Sequence, residues 1–240
     1  MKSLHTRWPR QCSNCKIENN ILKANLDRIC LFLLFALVLQ ARNLSVIIDT
    51  DAGSDDLIAI AFLLSRTDVH VEAINVVSGV AHVPRGAENI RKLLALARRE
   101  DIPVHLGREQ PIQKTAEFPA VWRKTADKLL ATLPAVKPSQ ERLNAISYYR
   151  SRGLSETTIL ALGPLTNLAT AMQMGVRFNE ILMMGGALRV PGNLGDGGYF
   201  KTANKTAEWN VFCDPKAAEI VFQSGAMIRM VPLDATNEVP

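Results

Sequence analysis

The sequence predicts an α/β fold in which a largely parallel sheet is flanked by helices. Short runs rich in β-branched residues alternate with longer amphipathic stretches, and 48% of the 240 residues are hydrophobic. A chain of this length can bury a sizeable core, which favours one large domain over two. Six strands are predicted, at Val46–Asp49, Val69–Val77, Pro103–Leu106, Thr158–Leu162, Ile181–Met184 and Ile228–Val231.

Apolar residues at helical spacing predict the helices that cover this sheet. The segment Asp56–Ser65 is apolar almost all round, which predicts a buried helix. Residues 85–99 carry apolar side chains at intervals of three or four, as one face of an amphipathic helix requires. Further helices are predicted at Ser139–Arg150, Leu165–Met174 and Pro215–Ser224.

The first 41 residues differ from the rest in charge and hydropathy. They carry a net charge of +4 out of the formal +5 of the chain, so residues 42–240 are nearly neutral and do not favour nucleic-acid binding. Ile29–Leu39 is an unbroken apolar run of the length of a signal-peptide core. We therefore predict a periplasmic or secreted protein with one domain at 42–240 and no stable membrane span. The alternative is an uncleaved anchor or a misassigned start, which would give a membrane-anchored or cytoplasmic protein.

Four aspartates lie within eight positions directly after the first predicted strand, at Asp49, Asp51, Asp55 and Asp56. Like charges at one turn repel one another, and their burial is costly unless a cation or hydrogen-bond donors compensate. In a structural interpretation, Ser54 or Asp55 caps the next helix. That interpretation leaves Asp49 and Asp51 unexplained, and hard oxygen ligands at this density suit Ca²⁺ or Mg²⁺. The sequence therefore predicts a metal site after the first strand.

The segment DTDAGSDD at 49–56 resembles the DTDxGxDD signature of the nucleoside hydrolases, the inosine-uridine-preferring N-ribohydrolase family. Further motifs follow in the order of that family, with ALGPLTN at 161–167, LMMGGA at 182–187, PGN at 191–193, AEWNVFCDPKAAEIVF at 207–222 and VPLDATN at 231–237. The resemblance implies a Rossmann-like mixed sheet, a bound Ca²⁺, and hydrolysis of a ribonucleoside to ribose and free base. The implied partner is a small-molecule nucleoside, and a homo-oligomer is left open.

The resemblance also implies roles for individual residues. Asp51 would ligate the metal and act as general base toward a water molecule, Asp56 would be a second carboxylate ligand, and Thr166 would bind the metal through its backbone carbonyl. The sugar would be held by Asp55, Asn193, Glu208 and Asn210, with Met184 lining the pocket. Three of these residues also allow a purely structural interpretation. Asn193 could be a turn asparagine, Thr166 could cap the following helix, and Glu208 could be a solvated acid.

The sequence departs from the family in three places. Val80 stands where the family has an asparagine that touches the sugar, and residues 110–138 lack the His-Gly loop of well-known members. The chain also ends before the family's additional aspartate ligand and the histidine that protonates the base. We therefore expect either a fragment of a longer, full-length protein or a C-terminally truncated, inactive relative, and we expect residues 42–240 alone to show little or no nucleoside hydrolysis. His82 alone among the histidines falls in a loop at the predicted active edge, either as a substitute acid or as an exposed bystander.

Two other functions stay open at this point. A Ca²⁺-dependent nucleoside- or sugar-binding protein would keep the ribose contacts without catalysis. The segment VIIDTD at 46–51 also resembles the strand end of haloacid-dehalogenase-type phosphatases. Those enzymes need a downstream acidic pair and a lysine near the phosphate, whereas GDGG at 195–198 supplies only Asp196.

Overall fold

The computed structural model describes residues 44–137, 143–154 and 156–238, which belong to one compact unit. Six strands form one sheet in the order β3-β2-β1-β4-β5-β6, and all five pairings are parallel. The strands are β1 Leu44–Thr50, β2 Val69–Val76, β3 Val104–Leu106, β4 Thr158–Ala161, β5 Glu180–Met184 and β6 Met227–Val231. The six predicted strands and the Rossmann-like α/β class are confirmed. The described residues include no antiparallel strand, so this part of the sheet is not mixed.

Strand β1 separates two apolar cores. Successive side chains of a strand point to opposite faces of the sheet, so Ile47 packs into one core and Ile48 into the other. Both side chains are completely buried. A strand that is buried on both faces needs a continuous apolar run, which explains why VII directly precedes the aspartates.

Helices cover both faces of the sheet. Ile60 and Ile90 pack into the core on one face, and Tyr149, Leu168 and Val221 pack into the core on the other. The described residues form α1 Ser54–Ser65, α2 Val83–Leu96, α3 Ala120–Ala126, α4 Ala145–Ser151, α5 Thr166–Gln173, α6 Trp209–Cys213, α7 Pro215–Phe222 and α8 Leu233–Thr236. None of these helices is long and apolar enough to cross a membrane. The predicted leader lies outside the described residues, so the predicted export stays a prediction.

The predicted helices are found, with differences in extent. The helix predicted at Ser139–Arg150 begins at Ala145, and its predicted start at 139–142 lies outside the described residues. The sequence analysis missed α3, which follows Pro119 in a proline-rich region, α6, which has only five residues, and α8, which has four. Periodicity is weak evidence over such short segments.

Two expectations about α1 are wrong. The helix is not buried all round, because it packs on the sheet with one side only and leaves Ile58 72% and Phe62 61% exposed. Neither Ser54 nor Asp55 caps it, since Gly53 occupies the N-cap position and no side chain makes a capping hydrogen bond. Helix capping therefore does not explain the acidic residues in the first turn of α1.

The strand order changes direction between β1 and β4, which are neighbours in the middle of the sheet. The chain leaves β1 toward β2 on one side and leaves β4 toward β5 on the other. In open α/β sheets, ligands bind at such a switch point, outside the carboxyl ends of the strands. The aspartate cluster follows β1 at this point.

Candidate active site

Asp51 and Asp56 form the centre of the candidate site. They are only 4% and 6% exposed, and they lie close enough for the charge of Asp51 to raise the pKa of Asp56. The Thr50 hydroxyl donates a hydrogen bond to Asp56, and the backbone N–H of Val80 donates to Asp51 Oδ2 over 2.7 Å. The turn between them is held in an unusual conformation, since Ala52 has a φ of 58°. The structure thus brings both predicted carboxylate ligands together.

The electrostatics of this pair favour a bound cation. Burial, with smaller contributions from the charges of Asp55 and Glu208, raises the pKa of Asp51 to about 6, although the hydrogen bond from Val80 lowers it. Burial also raises the pKa of Asp56 well above its ordinary range, with further contributions from Asp51 and Asp55. A cation bound between the two carboxylates would relieve this repulsion. Within the described ranges, no group of three or more His, Cys, Asp or Glu side chains forms a metal cluster.

Two glycines allow neighbouring loops to pack directly on Asp51. A Cβ atom at Gly79, after β2, would lie 2.0 Å from Asp51 Oδ2. A Cβ atom at Gly163, after β4, would lie 3.0 Å from the Asp51 Cβ. Any larger residue at Gly79 would clash with the carboxylate. The carbonyl of Leu162, directly before Gly163, therefore lies at the edge of the site, where it accepts a hydrogen bond from Asn210 Nδ2 over 2.9 Å.

The carbonyl of Thr166, the predicted backbone ligand, lies inside a helix. Thr166 is the first residue of α5, and its carbonyl accepts a hydrogen bond from Thr170 Oγ1 over 2.7 Å. A carbonyl in the first turn of a helix points along the helix toward the residue four positions later, which explains this contact. Its role as a metal ligand stays a prediction.

Glu208 is not a solvated acid, because it is 2% exposed. It caps α6, where its carboxylate accepts hydrogen bonds from the backbone N–H groups of Asn210 over 2.8 Å and Val211 over 3.2 Å. A third backbone donor, Gly186, lies after β5 at 3.0 Å. Burial raises the pKa of Glu208, and the three backbone donors partly oppose this rise. One buried carboxylate thus joins the β5 loop to α6.

The other predicted sugar contacts surround this carboxylate. Asn210 donates through Nδ2 to Leu162 O and lies 3.4 Å from the sulfur of Met184, so its amide oxygen is the group left to accept from a ligand. Asn193 accepts a hydrogen bond from the backbone N–H of Trp209 over 3.1 Å, which leaves its amide nitrogen as a donor. Asp55 is exposed in the first turn of α1.

Two buried acids, Asp214 and Asp49, position the site loops, a role that the sequence analysis assigned to neither. Asp214 accepts four hydrogen bonds, from Thr166 Oγ1 and Ile112 N over 2.7 Å and from Gln113 N and Ala217 N over 3.1 Å. It is the N-cap of α7 and precedes Pro215. An acid before a proline at the start of a helical pattern is a capping signal, and this signal could have identified Asp214.

Asp49 is the second of these acids. Its Oδ2 accepts hydrogen bonds from the Tyr149 hydroxyl over 2.9 Å and from Asn167 Nδ2 over 3.0 Å. Burial raises its pKa to about 7, although both hydrogen bonds lower it. Asn167 in turn accepts from the backbone N–H of Arg108 over 2.7 Å. Asp49 therefore links β1 to the loops after β3 and β4 rather than to the metal pair.

The parallel sheet flanked by helices, with buried carboxylates at its switch point, places the chain among α/β proteins whose ligand site is lined by acidic side chains. The profile of the family described as inosine-uridine preferring nucleoside hydrolase matches residues 46–240. The chain therefore belongs to the inosine-uridine preferring nucleoside hydrolase family.

Individual relatives agree with this assignment. A probable uridine nucleosidase 2 of Arabidopsis thaliana is 32% identical over 215 residues, covering 81% of this chain and 60% of that protein. The pyrimidine-specific ribonucleoside hydrolase RihA of Salmonella arizonae is 30% identical, covering 81% and 62%. A solved plant nucleoside hydrolase superposes with a TM-score of 0.70 at 35% identity, covering 82% and 62%. The chain thus spans about three fifths of the length of these relatives.

Replacing Asp214 tests whether it holds the site loops together. We expect Asp214→Ala to lower the free energy of unfolding by at least about 3 kcal/mol, because it leaves several buried donors unpaired. Urea unfolding followed by circular dichroism measures the change. The matched control is Asp196→Ala, whose carboxylate is exposed and whose replacement should change stability by less than about 0.5 kcal/mol. Equal midpoints for the two variants would contradict this role.

Proposed function

We propose that the full-length protein hydrolyses the N-glycosidic bond of ribonucleosides to ribose and free base. The observation that carries this proposal is the buried, mutually repelling pair of Asp51 and Asp56 at the switch point, beside Glu208 and Asn210. The pair offers a base and a cation site, and the neighbouring polar groups offer contacts for a sugar. The names of the relatives, a uridine nucleosidase and a ribonucleoside hydrolase, support a nucleoside as the substrate.

Asp51 is the proposed general base. Loss of a base from a sugar passes through a positively charged, oxocarbenium-like state, which a water molecule attacks at C1′. Asp51 would accept the proton of this water, and a base whose pKa lies near neutrality suits that role. The neighbouring carboxylates would also stabilise the positive charge that develops on the sugar.

A divalent cation fits the site, and we propose Ca²⁺. The carboxylates of Asp51 and Asp56 and the carbonyl of Leu162 would hold it, as hard oxygen donors do for this ion. When bound, such an ion lowers the pKa of a coordinated water and orients it. The Thr166 carbonyl is left out of this set because it lies in the first turn of α5, where it points along the helix.

The sugar hydroxyls are assigned to the polar groups around Asp51. Asn210 would accept through its amide oxygen, Glu208 through its carboxylate, and Asn193 would donate through its amide nitrogen. Asp55, in the first turn of α1, would accept from a hydroxyl on the solvent side. Met184, in contact with Asn210, would form the apolar floor.

Asp51→Asn tests the proposed reaction directly. In the full-length protein, we expect it to lower the rate of reducing-sugar release from uridine and inosine by about 10²–10⁴, because an amide cannot accept the proton of the water. The control Asp101→Asn removes an exposed carboxylate before β3 and should leave the rate unchanged. Near-normal turnover in Asp51→Asn would show that Asp51 is not the base. A wild-type protein that binds nucleosides without releasing ribose would be a binding protein instead.

Metal content and its pH dependence test the cation site. We expect elemental analysis to find about one Ca²⁺ per chain after purification without chelators. Because burial raises the pKa of Asp51 to about 6, protons compete with the cation below that pH, and calorimetry should show weaker Ca²⁺ binding at lower pH. Asp56→Asn should weaken binding, whereas Asp101→Asn should not. Protein that neither retains nor binds a divalent ion would rule out this site.

A 2′-deoxynucleoside tests the assigned sugar contacts. Removing one hydroxyl leaves buried polar groups unpaired, so we expect 2′-deoxyuridine to react at least about 100-fold more slowly than uridine. Asn210→Ala should reduce this discrimination, whereas Asn179→Ala, exposed before β5, should preserve it. Equal rates on the two substrates in the wild-type protein would refute the assignment.

A further inference from the structure

The loop after β2, residues 78–82, packs closely against Asp51. The backbone N–H of Val80 donates to Asp51 Oδ2 over 2.7 Å, and the backbone N–H of Ala81 donates to the Asp51 carbonyl over 3.2 Å. Gly79 leaves no room for a side chain, since a Cβ atom there would lie 2.0 Å from Asp51 Oδ2. The orientation of the proposed general base therefore depends on where this loop lies.

Helix α3 contacts both ends of the loop. At one end, Arg123 Nη2 donates to Ser78 Oγ over 3.1 Å. At the other end lies Asp127, the C-cap of α3. Its Oδ1 accepts from the backbone N–H of His82 over 2.9 Å, and its Oδ2 lies 2.8 Å from His82 Nδ1. Residues four apart lie one turn apart on the same side of a helix, so one turn holds both ends of the loop whose middle contacts Asp51.

The contact between Arg123 and Ser78 is enclosed by protein. The side chain of Arg123 is only 10% exposed, and its Nη1 also donates to the half-exposed Glu117 over 3.3 Å. A buried cation is costly unless its N–H groups find acceptors. Withdrawal of Arg123 from Ser78 would leave such a donor unpaired. The far end of α3 is also fixed, because Asn89 Nδ2 donates to the carbonyl of Ala126 over 2.8 Å.

This arrangement involves two of the places where the chain departs from its family. Val80 replaces a family asparagine, and α3 lies in the segment that lacks the His-Gly loop. The loop after β2 belongs to neither a strand nor a helix, and Gly79 is conformationally permissive, so the path of the loop depends on contacts with its neighbours. The resemblance to the family therefore does not supply the residues that hold this loop.

We propose that Arg123 and Asp127 are positioning residues that hold the loop after β2 against Asp51 during catalysis. This inference rests on the proposed nucleoside hydrolysis. The two residues act through the ends of the loop, and the N–H of Val80 passes their effect to the carboxylate of Asp51. This hydrogen bond limits rotation of the carboxylate, and small errors in the orientation of a catalytic group are costly in rate.

Arg123→Ala tests this role in the full-length protein. We expect kcat on uridine to fall by about 10- to 100-fold, because the proposed base loses its orientation. Guanidinium chloride at about 50 mM should raise kcat of the variant by at least about fivefold, since the ion can take the vacated place and donate to Ser78. Sodium chloride at the same concentration should not. A variant that is merely destabilised would instead lose activity, because guanidinium favours unfolding.

Ser78→Ala removes the acceptor of the same contact with a smaller change. We expect it to lower kcat by about 3- to 10-fold, and Arg123→Ala should cost less in this background than in the wild type, because both changes remove one interaction. Arg66→Ala is the matched control, since Arg66 also pairs with a carboxylate, that of Asp68, but is half exposed. It should leave kcat unchanged with and without guanidinium.

Amide hydrogen exchange gives a readout that does not depend on activity. Exchange across residues 78–82 should become at least about tenfold faster in Arg123→Ala and in Asp127→Ala, and should stay unchanged in Arg66→Ala. Unchanged exchange in the first two variants, or a loss of kcat in Arg123→Ala that guanidinium does not reverse, would overturn this inference and leave the proposed function standing. A wild-type protein that releases no ribose from uridine would refute the proposed function, and the catalytic role inferred for these residues with it.

Discussion

The burial of like-charged carboxylates at the end of β1 is the constraint on which the rest of the site depends. Asp49, Asp51 and Asp56 are each at most 6% exposed, and a buried charge is costly unless donors or a counter-charge compensate. Asp49 has its own donors, Tyr149 and Asn167. The charge of Asp51 raises the pKa of Asp56, so these two carboxylates repel each other. The uncompensated negative charge is therefore concentrated at this pair.

The surrounding loops pack closely around this pair. The strand order places the ends of β1 and β4 side by side, and Gly79 and Gly163 allow the loops after β2 and β4 to touch Asp51. Buried acids also accept hydrogen bonds from the backbone of neighbouring loops. Glu208, for example, joins the loop after β5 to α6. Hydrogen bonds to backbone groups lock the loops without requiring additional hydrophobic core.

The segment after β3 is held at both ends by hydrogen bonds, although it lacks the family's His-Gly loop. Asp214 fixes its beginning through the backbone of Ile112 and Gln113. Asn89 and Lys92, both on α2, hold its end through hydrogen bonds to the carbonyls of Ala126 and Leu130, over 2.8 Å and 3.2 Å. Between these anchors, Trp122 of α3 packs edge-on against Trp209, with ring centroids 5.8 Å apart. The fixed ends thus keep α3 beside α6, although the sequence of this segment departs from the family pattern.

The sequence by itself determined the strands, most of the helices and the acidic centre, because periodicity and the DTDAGSDD cluster are local patterns. It could not show that α1 is exposed along Ile58 and Phe62, since packing on one side is a tertiary property. Only the tertiary structure showed that the Thr166 carbonyl bonds to Thr170 within α5 and that the Leu162 carbonyl accepts from Asn210, because the start of α5 decides where each carbonyl points. It alone paired His82 with Asp127, 45 residues apart in sequence, since folding rather than sequence spacing brings the start of α2 and the end of α3 together.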